Sequence, residues 1–127
     1  MEIEEFLEML DDISGDIPRE FFRELNGGIV LRPERKYHPA SLNNDLCVMG
    51  EYHVDSRMGR SIFIYYGSFQ AVHRHLPKDS LREQVRKTVL HEFTHHFESL
   101  AGEKDLEIED ALRLAEYKQN HLQEESD

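Results

Sequence analysis

Apolar residues recur along this chain with two different periods, and each stretch's period predicts an element. Ile3, Phe6, Leu7 and Leu10 fall at i, i+3, i+4 and i+7, the spacing of one helix face, and the glutamates around them suit the positive end of the helix dipole. Asp16, Ile17 and Pro18 read as the cap and first turn of a short helix carrying Phe21, Phe22 and Leu25. Asn26-Gly27-Gly28 halts it. Ile29-Val30-Leu31 is a β-type run, Pro33 and Pro39 mark a loop, and a second run covers Leu46 to Val54. Asp55 to Arg60 reads as a connection before a further strand, Ile62 to Tyr66, closed by Gly67. So short a link predicts an antiparallel pair. His73 and His75 fall in an irregular segment before Pro77 and read as surface loop histidines. Ser80-Leu81-Arg82-Glu83 has the spacing of a capping box. It opens the longest helix, in which Leu81, Val85, Val89, Phe93, Phe97 and Leu100 recur every three or four residues up to a stop at Gly102. A last helix is expected from about Asp110 through Leu112, Ala115 and Tyr117 to near Leu122.

Helices and strands in segregated blocks give an α+β fold. Its parts are N-terminal helices, a small and mostly antiparallel sheet, a long helix and a C-terminal helix. The 127 residues suit a single domain over 1–127, since halves would be too small for a core, and the polar end 122–127 is expected to fray.

Composition narrows the function classes. A formal net charge of −11 argues against nucleic-acid binding, which needs basic patches to neutralise phosphates. The acidity would suit basic substrates as readily as it serves solubility. No stretch reaches the roughly 20 apolar residues of a membrane span, and Met1 is followed by Glu2, Glu4 and Glu5 instead of a basic region. A cytoplasmic protein is expected. The single cysteine, Cys47, lies in an apolar run and is expected to be a buried, inert thiol.

The candidate chemistry lies in His91-Glu92-Phe93-Thr94-His95, the H-E-x-x-H pattern inside a strongly periodic helix. Residues four apart share one helix face, so both imidazoles can reach one zinc ion at about 2.0–2.1 Å. Glu92, one position after the first ligand, is placed to act as general base towards a coordinated water whose pKa zinc lowers to about 7. The competing account is an amphipathic helix with chance surface histidines in a chain that has eight of them. The spacing, the glutamate and the separation of His91 and His95 from the apolar stripe count against it. His96 is rotated off the ligand face and is expected to be packed or hydrogen-bonded.

The run Arg86 to Phe97, with His91-Glu92-Phe93-Thr94-His95-His96-Phe97 at its centre, resembles the HExxHHF helix of the small bacterial zincin-like metallopeptidase family. Gly50-Glu51-Tyr52 and Ser61 to Tyr65 are similar to the family's strand pair before that helix. The resemblance spans Gly50 to about Tyr117. It implies a minimal zincin fold, a zinc ion and cleavage of a peptide or protein substrate. In the shorter family pattern a glycine follows HHF directly and an aspartate comes three residues later, whereas here Glu98-Ser99-Leu100-Ala101 intervene before Gly102. Four more residues lengthen the helix by about 6 Å, so the chain must return further, and Asp110 is the favoured third ligand ahead of Asp105, Glu107 and Glu109. Two other functions fit the residues: a metal-binding or protein-interaction domain without turnover, and a metal-dependent hydrolase of something other than peptides.

Overall fold

The computed structural model describes residues 1–41 and 46–104. The elements run α1 (Ile3–Gly15), a 3-10 turn (Arg19–Phe22), β1 (Gly28–Arg32), β2 (Lys36–Tyr37), β3 (Cys47–Val48), β4 (Gly50–Asp55), β5 (Gly59–Tyr65), α2 (Tyr66–His73) and α3 (Lys78–Lys104). An α+β architecture with small sheets follows. The expected last helix and frayed end, 110–127, lie outside the described residues. No helix among those described is long and apolar enough to cross a membrane.

The first helix buries Phe6 and Leu10 as its spacing indicated, but its inner face is rotated away from Leu7 towards Met9 and Ile13. Phe6, Met9, Leu10 and Ile13 are buried, while Leu7 is 46% exposed. Phe6 decides the rotation by stacking edge-on against Tyr66 at 5.4 Å and tilting against Phe69 at 5.6 Å. The short element that follows is a 3-10 turn, Arg19–Phe22, with Pro18 at its N-cap position, not a helix capped by Asp16. It ends where Arg23 is extended and Glu24 takes φ +61, before the Asn-Gly-Gly sequence. Aromatic packing holds it: Phe21 meets Phe93 and Phe97, and Phe22 meets Phe93.

The main sheet has the order β1-β5-β4 and is mixed. Strand β5 runs parallel to β1, with Ile29 opposite Ile62 and Leu31 opposite Ile64. It runs antiparallel to β4, with Gly50 opposite Ile64 and Tyr52 opposite Ile62. The expected antiparallel pair therefore forms, and the parallel partner β1 joins from its far side. This makes β5 the central strand. Ser61, Ile62, Ile64 and Tyr65 are buried, as a strand with neighbours on both edges and cover on both faces must be. The expected run Leu46–Val54 is divided at Met49, and its first half pairs with β2 in a separate antiparallel ribbon, Lys36 opposite Val48.

After Tyr65 the chain turns directly into α2, so Gly67 lies inside a helix instead of closing a strand. A Cβ there would sit 2.4 Å from the backbone N of Arg35; glycine lets the segment between β1 and β2 cross α2. That helix carries His73, which the sequence reading had put in irregular chain.

Helix α3 starts at Lys78, two residues before the capping box: the Pro77 carbonyl accepts the Leu81 N–H at 2.9 Å. It passes through Gly102 without stopping. The expected stripe is buried, from Leu81, Val85 and Val89 through Phe93 and Phe97 to Leu100. Its part up to Phe97 packs with Ile62, Ile64 and the α1 side chains in one core.

Candidate metal centre

Residues four apart on a straight helix stack one turn above another, and on α3 this places His91 and His95 together on the exposed flank of the buried stripe. Their Nε2 atoms lie 3.2 Å apart. The rings stand nearly perpendicular, at 88° with centroids 4.8 Å apart. Two bare imidazole lone pairs at that distance repel unless a proton or a cation lies between them. Two nitrogen ligands of a tetrahedral zinc at 2.0–2.1 Å are themselves about 3.3–3.4 Å apart. The pair thus fits a single zinc ion. Nδ1 of His95 lies 3.7 Å from Oε2 of Glu98, a carboxylate one turn on that favours the tautomer with Nε2 bare.

Glu92, between the two histidines in sequence, is only 5% exposed. With Thr88 and His91 it lines a cleft of about 470 Å³ whose other walls are Lys87, His38 and the Cys47–Gly50 segment. Strand β4 can come this close because Gly50 has no side chain. A Cβ there would be 2.7 Å from Cγ2 of Thr88 and 3.3 Å from Cγ of Glu92. The Tyr65 N–H donates to Met49 O at 2.9 Å, and Gly50 stands opposite Ile64 in the antiparallel register. Backbone groups alternate in direction along such a ladder, so those of Gly50 and Tyr52 point away from β5, out from the sheet edge.

The sequence reading did not pick out His38, Lys87 or Thr88. His38 accepts the Ala40 N–H on Nδ1 at 3.0 Å, which leaves Nε2 of the neutral ring as a donor. Cys47 was expected to be buried, but it is only partly so. Its position in the two-residue strand β3 puts it on the cleft wall, where its Sγ accepts from Nε of Arg35 at 3.3 Å. The Gly50 strand and the helix run holding Lys87 and Thr88 had a sequence signal, through their place in the family resemblance, whereas His38 had none.

His96 faces the opposite way from the pair and is fully buried. Its Nε2 lies 2.8 Å from the Arg23 carbonyl, which can only accept, so the ring proton is on Nε2. Nδ1 then accepts from Tyr52 Oη, also at 2.8 Å. Burial pushes the His96 pKa below its usual value, against the opposing pull of the Arg23 hydrogen bond. The ring is a neutral connector between the 3-10 turn, α3 and β4. His73 is likewise pushed down, first by burial and then by His75.

Among the described residues no group of three His, Cys, Asp or Glu side chains is placed to hold a metal ion. Asp110, Asp105, Glu107 and Glu109 all lie outside the described residues; within them, the structure brings His91 and His95 together.

A family model described as zincin-like metallopeptidase matches residues 37–118. Among solved structures, the chain is similar to a conserved hypothetical protein from Thermo thermophilus, at 33% sequence identity and a TM-score of 0.65. That similarity covers 80% of this chain and 98% of the other. No curated protein matches.

Proposed function

The chain belongs to the zincin-like metallopeptidase family, and from that premise we propose that it is a zinc-dependent peptidase in which His91, His95 and Asp110 hold the metal and Glu92 is the general base. One observation carries the reading: two Nε2 atoms 3.2 Å apart, beside a buried glutamate, at the mouth of a cleft. When bound there, zinc would supply the Lewis acidity that lowers the pKa of a coordinated water and polarises a carbonyl. Glu92 takes a proton from the attacking water as its oxygen bonds to the carbonyl carbon, then returns that proton to the amine as the C–N bond breaks. The packing of Glu92 against Gly50 and Thr88 limits where its carboxylate can go. Asp110 enters through the lengthened helix and the resemblance alone.

An extended substrate is best supported along β4. Strand β5 cannot offer such an edge, because it is central and both of its edges are paired. The outward backbone groups of Gly50, next to Glu92 in the cleft wall, suit addition of a substrate strand by main-chain hydrogen bonds.

The test is Glu92→Gln, which keeps the shape and removes the base. It should retain zinc and lose 10²–10⁴-fold in peptide-hydrolysis rate, the usual worth of general-base catalysis. Absence of cleavage by the zinc-replete wild type across a broad peptide library, or equal cleavage by the variant, would replace this reading with a metal-binding domain without turnover.

A further inference from the structure

We infer that Lys36 is a positioning residue: it clamps the β2–β3 ribbon to the main sheet through Glu51 and Tyr65, and so sets the cleft wall against which a substrate lies. The inference rests on the peptidase reading for what the cleft holds, but the clamp itself is tested without turnover. His38, Cys47, Val48 and Met49 belong to the ribbon or adjoin it, and all four line the cleft. The ladder of that ribbon is short. Lys36 stands opposite Val48 and Tyr37 opposite Cys47, and the His38 N–H adds a bond to the Leu46 carbonyl at 2.8 Å. An antiparallel pair of this length does not hold its place in water unaided, so contacts outside it must fix the wall.

Lys36 supplies those contacts through its backbone and its side chain together. Its N–H donates to Oγ of Ser68 on α2 at 3.0 Å, and the same hydroxyl donates to the Lys36 carbonyl at 3.4 Å. Ser68 is fully buried. The Lys36 ammonium group donates to Oε2 of Glu51 on β4 and to the Tyr65 hydroxyl on β5, the latter at 3.4 Å. Tyr65 Oη donates in turn to Oε1 of Glu51 at 3.3 Å, so both carboxylate oxygens are engaged. The ammonium also lies 5.3 Å from the centre of the Tyr65 ring, within the range of a cation–π contact. Its bond to Glu51 raises the Lys36 pKa, which keeps the group charged at neutral pH. Glu51 directly follows Gly50, the residue packed on Thr88 and Glu92. Side chains alternate across a strand, so Glu51 projects from the face of β4 opposite to α3. The clamp therefore ties the ribbon to the stretch of β4 that abuts the base, and does so from behind the cleft.

The test uses Cys47, the single cysteine of the chain, as a reporter on β3. Its alkylation by iodoacetamide is followed in the full-length, zinc-loaded protein. Lys36→Met keeps the stem and removes the donors and the charge. Labelling should quicken about fivefold, the scale on which loss of a partly exposed ion pair shifts an equilibrium. Removing a cation from near a thiol by itself makes it less reactive, so acceleration reads release of the ribbon. Lys36→Glu should label faster still, and Lys36→Glu/Glu51→Lys should return most of the way to the wild-type rate. Ile13→Val, in the α1 part of the core, separates general destabilisation from the clamp and should label like the wild type. In zinc-loaded Glu92→Gln, where nothing is consumed, adding Lys36→Met should weaken binding of a dye-labelled octapeptide pool about fivefold and leave zinc content unchanged. An unaltered labelling rate in Lys36→Met, an equal acceleration in Ile13→Val, or peptide affinity indifferent to Lys36 in a protein that does bind peptides overturns the inference. Labelling that follows the expected order in a chain that cleaves no peptide upholds the clamp and removes the peptidase reading alone.

Discussion

Tyr52 on the sheet edge donates its hydroxyl proton to Nδ1 of His96 on α3, across 2.8 Å. The residue that follows the second candidate ligand is thereby tied to the strand that walls the cleft. Through its other nitrogen the same ring holds the Arg23 carbonyl, so one neutral imidazole fixes three segments around the site.

Removing the phenol should show what that tie contributes. Tyr52→Phe leaves a buried ring nitrogen without a donor, at about 1–3 kcal/mol. Thermal unfolding should shift down by several degrees in the metal-free protein. An unchanged midpoint would mean that water or another group replaces the hydroxyl and that the tie carries little.

The paired Nε2 atoms lead to a stoichiometry of about one zinc per chain. Elemental analysis and calorimetric titration should find it in the wild type and lose it in His91→Ala/His95→Ala. Because a ligand that binds only the folded state stabilises by mass action, zinc at 100 times its Kd should add about 2.7 kcal/mol. Unchanged metal content in the double variant would move the site elsewhere on the chain.

A ranking of carboxylates follows from the four residues between Phe97 and Gly102. Asp110→Ala should weaken zinc affinity at least tenfold, in the range of roughly 10–100-fold seen when the support of a metal site is lost, whereas Asp105→Ala should change it little. Competition against a chromogenic chelator would read both. The opposite order would reassign the third ligand without disturbing the histidine pair.

Gly50 gives a test of positioning that separates geometry from folding. Gly50→Ala puts a methyl group 2.7 Å from Cγ2 of Thr88 and 3.3 Å from Cγ of Glu92, and relief requires the strand or the base to move. Hydrolysis should fall about tenfold or more, since small misplacements of a catalytic group are expensive in rate, with zinc content unchanged. Thr88→Ser deletes the methyl group that is struck and should recover much of the loss in the double variant. A Gly50→Ala protein as active as the wild type, or one that Thr88→Ser leaves unimproved, would show that β4 does not position Glu92.

Periodic and local features were legible before the fold was known. The apolar stripe of α3 and the four-residue spacing of His91 and His95 follow from helix geometry, which repeats the same way in any context, and so the face they share could be read directly. Antiparallel pairing of β4 with β5 was legible for a similar reason, because a short link leaves little choice. What depends on distant partners was not. Leu7 and Met9 compete for the inner face of α1, and only Phe6's contacts with Tyr66 and Phe69 settle the rotation. The place of β5 at the centre of the sheet depends on β1 joining in parallel from the far side, a long-range pairing with no local signature. The cleft itself gathers His38, Cys47, Gly50 and Lys87 from three separate stretches of chain. Sequence specified which atoms can bind and deprotonate; tertiary packing alone decided what stands beside them, because side chains far apart in the chain meet only when the strand edge and the helix are pressed together.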